Sequence, residues 1–184
     1  MRKKEILRKK LKNSRSKLVN SYVTSNSSKI FNTLKNLLNQ ISFNSIAVYK
    51  SFNNEVLTND IISYYLSMDK VVCLPVLKDL NTMEFHQINV RSKMKLNKYG
   101  ISEPINSSKI NTNKIDIIII PCLGFNENLY RIGMGKGYYD KILEDNESST
   151  LICLAFEDQF IDEDFEEKHD IKMNYIITEN SILF

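Results

Sequence analysis

Four isoleucines stand in a row at positions 117–120, with Asp116 before them and Pro121 after. β-branched side chains suit an extended strand better than a helix. A strand with one wet face alternates apolar and polar residues. This run does not alternate, so both of its faces must be covered, as in a parallel sheet flanked by helices. Residues 151–156 and 175–178 repeat the pattern, and residues 45–49 and 71–76 are further buried strands, the latter closed by Pro75. Met83–Ile88 reads as an edge strand.

Helical periodicity fills much of the rest. Residues 3–22 carry Ile6, Leu7, Leu11, Leu18 and Tyr22 at helical spacing, and residues 27–40 carry Ile30, Phe31, Leu34, Leu37 and Leu38. Ser25 or Ser27 is the expected N-cap of the second helix. Residues 58–68 form a third helix, with Thr58 as N-cap and Ile61, Ile62, Tyr65 and Leu66 facing inward. The polar stretch 89–113 reads mostly as loop. Strands alternating with helices predict an α/β fold: an open, mostly parallel sheet flanked by helices in a Rossmann-like three-layer arrangement. At 184 residues the chain is expected to form a single domain over 1–184.

Charge narrows the possible partners. The net charge is only +3, too small to mark a nucleic-acid binder, and no basic stretch interleaved with aromatic residues occurs. The first seventeen residues are nonetheless basic, with Arg2, Lys3, Lys4, Arg8, Lys9, Lys10, Lys12, Arg15 and Lys17 against Glu5 alone. Such a helix can meet phosphate of any kind. Cys73, Cys122 and Cys153 lie far apart inside apolar runs, without Cys-x-x-Cys spacing, and read as buried free thiols. No segment reaches the roughly 20 apolar residues of a membrane span, and no secretory signal opens the chain. The expectation is a cytoplasmic monomer that binds small molecules, with no nucleic-acid or membrane partner.

The chemistry concentrates after the isoleucine strand. The chain has five glycines, and three fall at 133, 135 and 137, within Arg131-Ile-Gly-Met-Gly-Lys-Gly-Tyr-Tyr-Asp140. Glycine clustered in this way implies left-handed backbone or close approach by a ligand. A glycine-rich turn leading into a helix offers N–H groups to an anion. Lys136 adds an ammonium and Arg131 a planar fork suited to phosphate oxygens. Asp140 follows one turn later, where a magnesium ligand beside a polyphosphate would stand. The segment matches neither the Gly-x-x-x-x-Gly-Lys-Ser/Thr phosphate loop nor the Gly-x-Gly-x-x-Gly dinucleotide fingerprint. On the residues alone, a nucleotide-phosphate site and a tight turn bearing a solvated lysine both stand open.

The same decapeptide resembles the signature of the 5-formyltetrahydrofolate cyclo-ligase family. The resemblance runs along the chain: Lys4-Glu-Ile-Leu-Arg8 with Arg15, Asn54-Glu55 with Thr58, Tyr99-Gly-Ile-Ser-Glu-Pro104, Asp116 to Pro121 with Gly124-Phe125, Glu157 to Gln159, and His169-Asp170. It implies an enzyme that uses ATP and Mg²⁺ to convert 5-formyltetrahydrofolate to 5,10-methenyltetrahydrofolate, ADP and phosphate. Phosphorylation of the formyl oxygen would precede attack by N10. Carried over residue by residue, Lys4 and Arg8 would contact ATP phosphates. Arg131, Gly133, Met134, Gly135, Lys136, Gly137, Tyr138 and Tyr139 would complete the nucleotide site. Lys136 and Arg131 would stabilise the transferring phosphoryl group, with Asp140 and then Asp170 as magnesium ligands. Glu55, Tyr138, Met134 and Tyr99 would meet the folate. The competing readings are another nucleotide-dependent enzyme on the same fold and a folate-binding protein without catalysis.

Overall fold

The computed structural model describes residues 3–78 and 82–184, and Arg2 of the basic opening lies outside them. The isoleucine run forms β7 (Ile117–Pro121), near the middle of an eight-stranded sheet. Its neighbours are β1 (Ser45–Ala47) and β10 (Thr150–Leu154), both parallel to it. Beyond them lie β2 (Val71–Leu77) and β11 (Tyr175–Ile177), also parallel. Antiparallel strands finish both edges: β12 (Ile182–Leu183) beside β11, and β3 (Met83–Ile88) then β6 (Lys109–Ile110) beside β2. The mostly parallel α/β sheet expected from the sequence is present.

Both faces of β7 are covered. Ile117 and Ile119 enter one apolar layer, and Ile118 and Ile120 enter the other. Burying each of these side chains is worth about 2 kcal/mol in water-to-interior transfer. The first layer is closed by α2 (Asn20–Leu38) and α3 (Asn59–Ser67), the second by α4 (Tyr138–Leu143). Asp116 pins the start of the sheet, accepting hydrogen bonds from the N–H groups of Asn44 at 2.8 Å and Ser45 at 2.9 Å. All three cysteines are buried and free. No helix among the described residues is long and apolar enough to cross a membrane.

Several boundaries differ from those expected. The first helix, α1 (Lys3–Ser16), stops six residues early, and α2 starts at Asn20 rather than at Ser27. Neither Ser25 nor Ser27 caps α2; Ser27 is buried within it and accepts a hydrogen bond from Leu57 N at 2.9 Å. The break has a tertiary cause. The Asn54 side-chain amide donates to the carbonyls of Arg15 and Leu18, each at 3.1 Å, and so caps the end of α1. Thr58 does occupy the N-cap position of α3, but its hydroxyl donates to Tyr49 O at 2.7 Å instead of capping. Leu66 is only half-buried. Pro75 lies inside β2, past the three residues that pair with β1, so its missing N–H costs no bond to that neighbour. Met83–Ile88 is not the sheet edge, because β6 pairs outside it. The stretch expected as loop holds β6 and a hairpin of β4 (Met94–Leu96) and β5 (Ser102–Pro104).

A further hairpin, β8 (Gly124–Phe125) with β9 (Arg131–Ile132), follows β7 and receives α1. Leu7 and Leu11 pack there with Leu123, Ile132, Ile161 and Phe165. A Cβ at position 124 would come within 2.7 Å of Ile161 Cδ1, 2.9 Å of Leu11 Cδ1 and 3.0 Å of the Gln159 carbonyl oxygen, so any larger residue would force this packing to shift.

Candidate active site

The parallel strands run in the order β2, β1, β7, β10, β11. The chain builds outward from β1 to β2, then returns to place β7 on the other side of β1. In open α/β sheets, ligands bind where the loops beyond such a reversal part. The loops after β1 and β7 flank that point here, and the residues singled out from the sequence lie mainly on them.

The loop after β1 delivers Glu55. Asn53 (φ 48°) and Asn54 (φ 56°) both adopt the left-handed conformation, which asparagine tolerates better than most residues. Anchored to the end of α1 by the Asn54 amide, this turn leaves Glu55 mostly buried. Phe52 N donates to Glu55 Oε2 at 3.0 Å, and Arg15 Nη1 lies 3.4 Å from Oε1. Loss of water pushes the carboxyl up to about 6; the Arg15 charge and the Phe52 N–H oppose that rise without cancelling it.

After β7, Arg131 emerges buried from β9, with Nη2 2.8 Å from Asp140 Oδ1 on α4. Its guanidinium carbon sits 5.9 Å from the centre of the Tyr139 ring. Its buried Nε has no hydrogen-bond partner among the described residues, leaving a donor for a ligand oxygen. Tyr139 also feels Glu55: burial first, then that carboxylate, raise its hydroxyl pKa above the ordinary value.

Between Arg131 and Asp140 runs the glycine turn. Arg8 reaches it from α1, donating from Nε to Gly133 O at 3.1 Å. Gly135 (φ 89°) lies under the same guanidinium; a Cβ there would stand 3.2 Å from Arg8 Nε. Gly137 (φ 68°) is the N-cap of α4. That helix has six residues, so its dipole is small and the positive field at the turn comes mainly from side chains. Lys136 is exposed and forms none of the ion pairs found among the described residues.

Two tyrosines close another side. Tyr138 is hydrogen-bonded to Tyr99, and that bond, followed by burial, raises the Tyr138 hydroxyl to about 12. The same bond lowers the Tyr99 hydroxyl pKa, with the Lys98 and Lys136 charges helping against partial desolvation. Met134 is half-exposed, its sulfur 3.9 Å from Arg15 Nη2. The geometry therefore groups Arg8 with the glycine turn, Arg131 with Asp140 and Tyr139, and Tyr99 with Tyr138.

Lys4 and Asp170 are engaged with each other. Lys4 is buried and hydrogen-bonds Asp170, and its Nζ lies 3.6 Å from Glu167 Oε2. Asp170 also accepts from Glu167 N at 2.6 Å. Among the described residues no three His, Cys, Asp or Glu side chains converge on a point that could hold a metal ion. Asp140 and Asp170, each paired with a cation, do not make a protein-built magnesium cage.

Arg15 is the buried residue beside the site that periodicity missed. It is buried at the end of α1, in line with Lys4, Leu7 and Leu11, the other buried positions of that helix. That 4, 7, 11, 15 spacing was the available signal: two cations on the inward stripe, while Ile6, counted as apolar, is 52% exposed.

The sequence profile of the 5-formyltetrahydrofolate cyclo-ligase family matches residues 1–179. The chain belongs to the 5-formyltetrahydrofolate cyclo-ligase family. Membership makes it an ATP-dependent ligase of folate one-carbon metabolism, as the signature around Lys136 implied. The chain is 33% identical over 137 residues to the 5-formyltetrahydrofolate cyclo-ligase of Haemophilus influenzae, covering 69% of this chain and 71% of that one. It is 32% identical over 154 residues to the probable 5-formyltetrahydrofolate cyclo-ligase of Schizosaccharomyces pombe, covering 81% and 76%. The NMR structure of the Aquifex aeolicus 5,10-methenyltetrahydrofolate synthetase superposes with a TM-score of 0.87 at 26% identity, over 97% of this chain and 91% of that one.

Proposed function

We propose that this cyclo-ligase closes the formyl group of 5-formyltetrahydrofolate onto N10 by first phosphorylating the formyl oxygen. That oxygen is a poor leaving group, so direct ring closure stalls. Transfer of the γ-phosphoryl group of ATP forms a C–O–P bond and releases ADP. N10 then attacks the activated carbon and loses its proton, the C–O bond breaks, and phosphate leaves with the oxygen. The product is 5,10-methenyltetrahydrofolate.

Phosphoryl transfer asks a protein mainly for in-line positioning and charge neutralisation. Arg8, Arg131 and Lys136 supply the charge, and the turn from Gly133 to Gly137 brings backbone close to the phosphates. Magnesium would enter as part of the Mg·ATP substrate and neutralise phosphate charge there, with Asp140, beside the turn, the carboxylate that would help hold it. Lys4, one turn before Arg8, would share its ammonium between Asp170 and the nucleotide. Glu55, Tyr138 and Tyr99 face the folate, and Met134 lies between the two substrates. Glu55 is suited to take the N10 proton: with its carboxyl at about 6, it is ionised at neutral pH yet more basic than an ordinary carboxylate.

The observation that carries this reading is the convergence of Arg8 and Arg131 on the three-glycine turn, with the buried Arg131 Nε left unpaired. Substrate labelled with ¹⁸O in the formyl group tests it. One labelled oxygen per phosphate released is expected. Unlabelled phosphate would show that the oxygen never left with phosphorus.

A further inference from the structure

Arg15 takes no part in the chemistry above, yet it is the buried cation where the three site segments meet. It comes from α1, and its donors reach one group on each loop. Nη1 lies 3.4 Å from Glu55 Oε1 in the loop after β1 and 3.2 Å from Cys122 O, just past the end of β7. Nη2 lies 3.9 Å from the sulfur of Met134, inside the glycine turn. The residue is 5% exposed, so water screens little of its charge. The backbone of the same residue is held from the Glu55 side, because Arg15 O accepts from the Asn54 amide. Neighbouring residues are therefore clamped in both directions, by the guanidinium and by the carbonyl.

We propose that Arg15 is a positioning residue that keeps Glu55 ionised and fixes it relative to the glycine turn, so that one buried cation aligns the folate side of the site with the nucleotide side. Its catalytic relevance rests on the reading of Glu55 given above. The groups that face Glu55 from the packed elements are few. Arg15 comes from α1, the Tyr49 hydroxyl from the end of β1, and Tyr139 from α4 with Arg131 behind it. Tyr49 donates its hydroxyl to Val56 O at 2.9 Å, and both tyrosines stay neutral near pH 7 because burial raises them further. Arg15 is thus the one full charge of opposite sign in direct contact with Glu55 among the described residues. Desolvation pulls toward the acid form, and removing Arg15 leaves only the Phe52 N–H to oppose that pull at short range.

The test reads Glu55 itself before it reads activity. In protein labelled with ¹³C at the glutamate carboxyls, the Glu55 signal is identified by its loss in Glu55→Gln, and its titration is followed by NMR. Arg15→Gln keeps a donor in the pocket and removes the charge; the Glu55 midpoint is expected to rise by about one to two pH units. Arg15→Lys restores the charge and is expected to bring the midpoint back toward that of the wild type. An unchanged midpoint in Arg15→Gln, or a Lys variant that titrates like the Gln variant, overturns the proposal. The acid limb of kcat/KM for the folate is read alongside. A limb that moves with the NMR midpoint supports both the Arg15 role and the use of Glu55. A midpoint that moves while the limb stays still leaves Arg15 controlling Glu55 and removes Glu55 from the chemistry.

Discussion

Arg131 and Asp140 clamp the glycine turn at its two ends: Nη2 and Oδ1 are 2.8 Å apart across a stretch of chain that contains three glycines. Within residues 133–137 the other holds from outside the turn are Arg8 at Gly133 and Gly135 and Arg15 at Met134, while a Cβ at Gly133 or Gly137 would meet open space. A double-mutant cycle with Arg131→Met and Asp140→Asn is expected to show a coupling of about 1–2 kcal/mol in urea unfolding. That coupling stays below the value for a fully buried pair because the Asp140 side chain is 36% exposed. Simple additivity of the two single losses would contradict the clamp.

Lys136 separates function from stability. It is exposed and unpaired among the described residues, so Lys136→Ala should leave the urea midpoint within about 0.5 kcal/mol of the wild type. If it stabilises the transferring phosphoryl group, turnover falls roughly 10²-fold or more. Normal turnover in this variant would remove Lys136 from the mechanism.

Gly135→Ala tests the backbone. Left-handed backbone at a residue with a Cβ costs about 1–2 kcal/mol, and the added carbon would push on Arg8 from 3.2 Å. The expected outcome is a KM for ATP raised about tenfold, with the folate KM much less affected. Equal changes in both, or none, would argue against a phosphate cradle at this turn.

Glu55 gives stability an uncommon pH slope. Its carboxyl is raised from the ordinary 4.5 to about 6, so between those values the native state binds more protons than the unfolded chain. The stabilisation is present below about 4.5 and is lost as pH rises through 6, amounting to about 2 kcal/mol by linkage. Glu84 and Asp116 titrate below their ordinary values, so their contribution is complete before this window opens. Urea midpoints at pH 5 and pH 7.5 should therefore favour Glu55→Gln over the wild type more strongly at the higher pH. Parallel slopes for the two proteins would show that Glu55 is not buried as described.

The sheet was legible because β7 announces itself: four isoleucines can be buried only when both faces are covered, and that fixes a parallel, helix-flanked strand. The glycine turn was legible for a similar reason: scarce glycines bunched around a lysine mark backbone that turns tightly or meets an anion, and Gly135 and Gly137 do adopt the left-handed conformation. What the sequence hid was tertiary. The end of α1 is set by the Asn54 amide from another loop, so no local signal marks residue 17 as a break. The hairpin of β8 and β9 consists of two-residue strands, too short for any period to show. Arg15 resembles part of the family's opening helix in the sequence, but no role attaches to it until the fold places Glu55 and the Cys122 carbonyl against it.

The most direct measurement mixes the protein with Mg·ATP and 5-formyltetrahydrofolate and follows methenyl absorbance and ADP in the same sample. One ADP per methenyl group formed is the predicted result. ADP released without methenyl product, or methenyl formed at full rate without ATP, would contradict a ring closure driven by phosphorylation of the formyl oxygen.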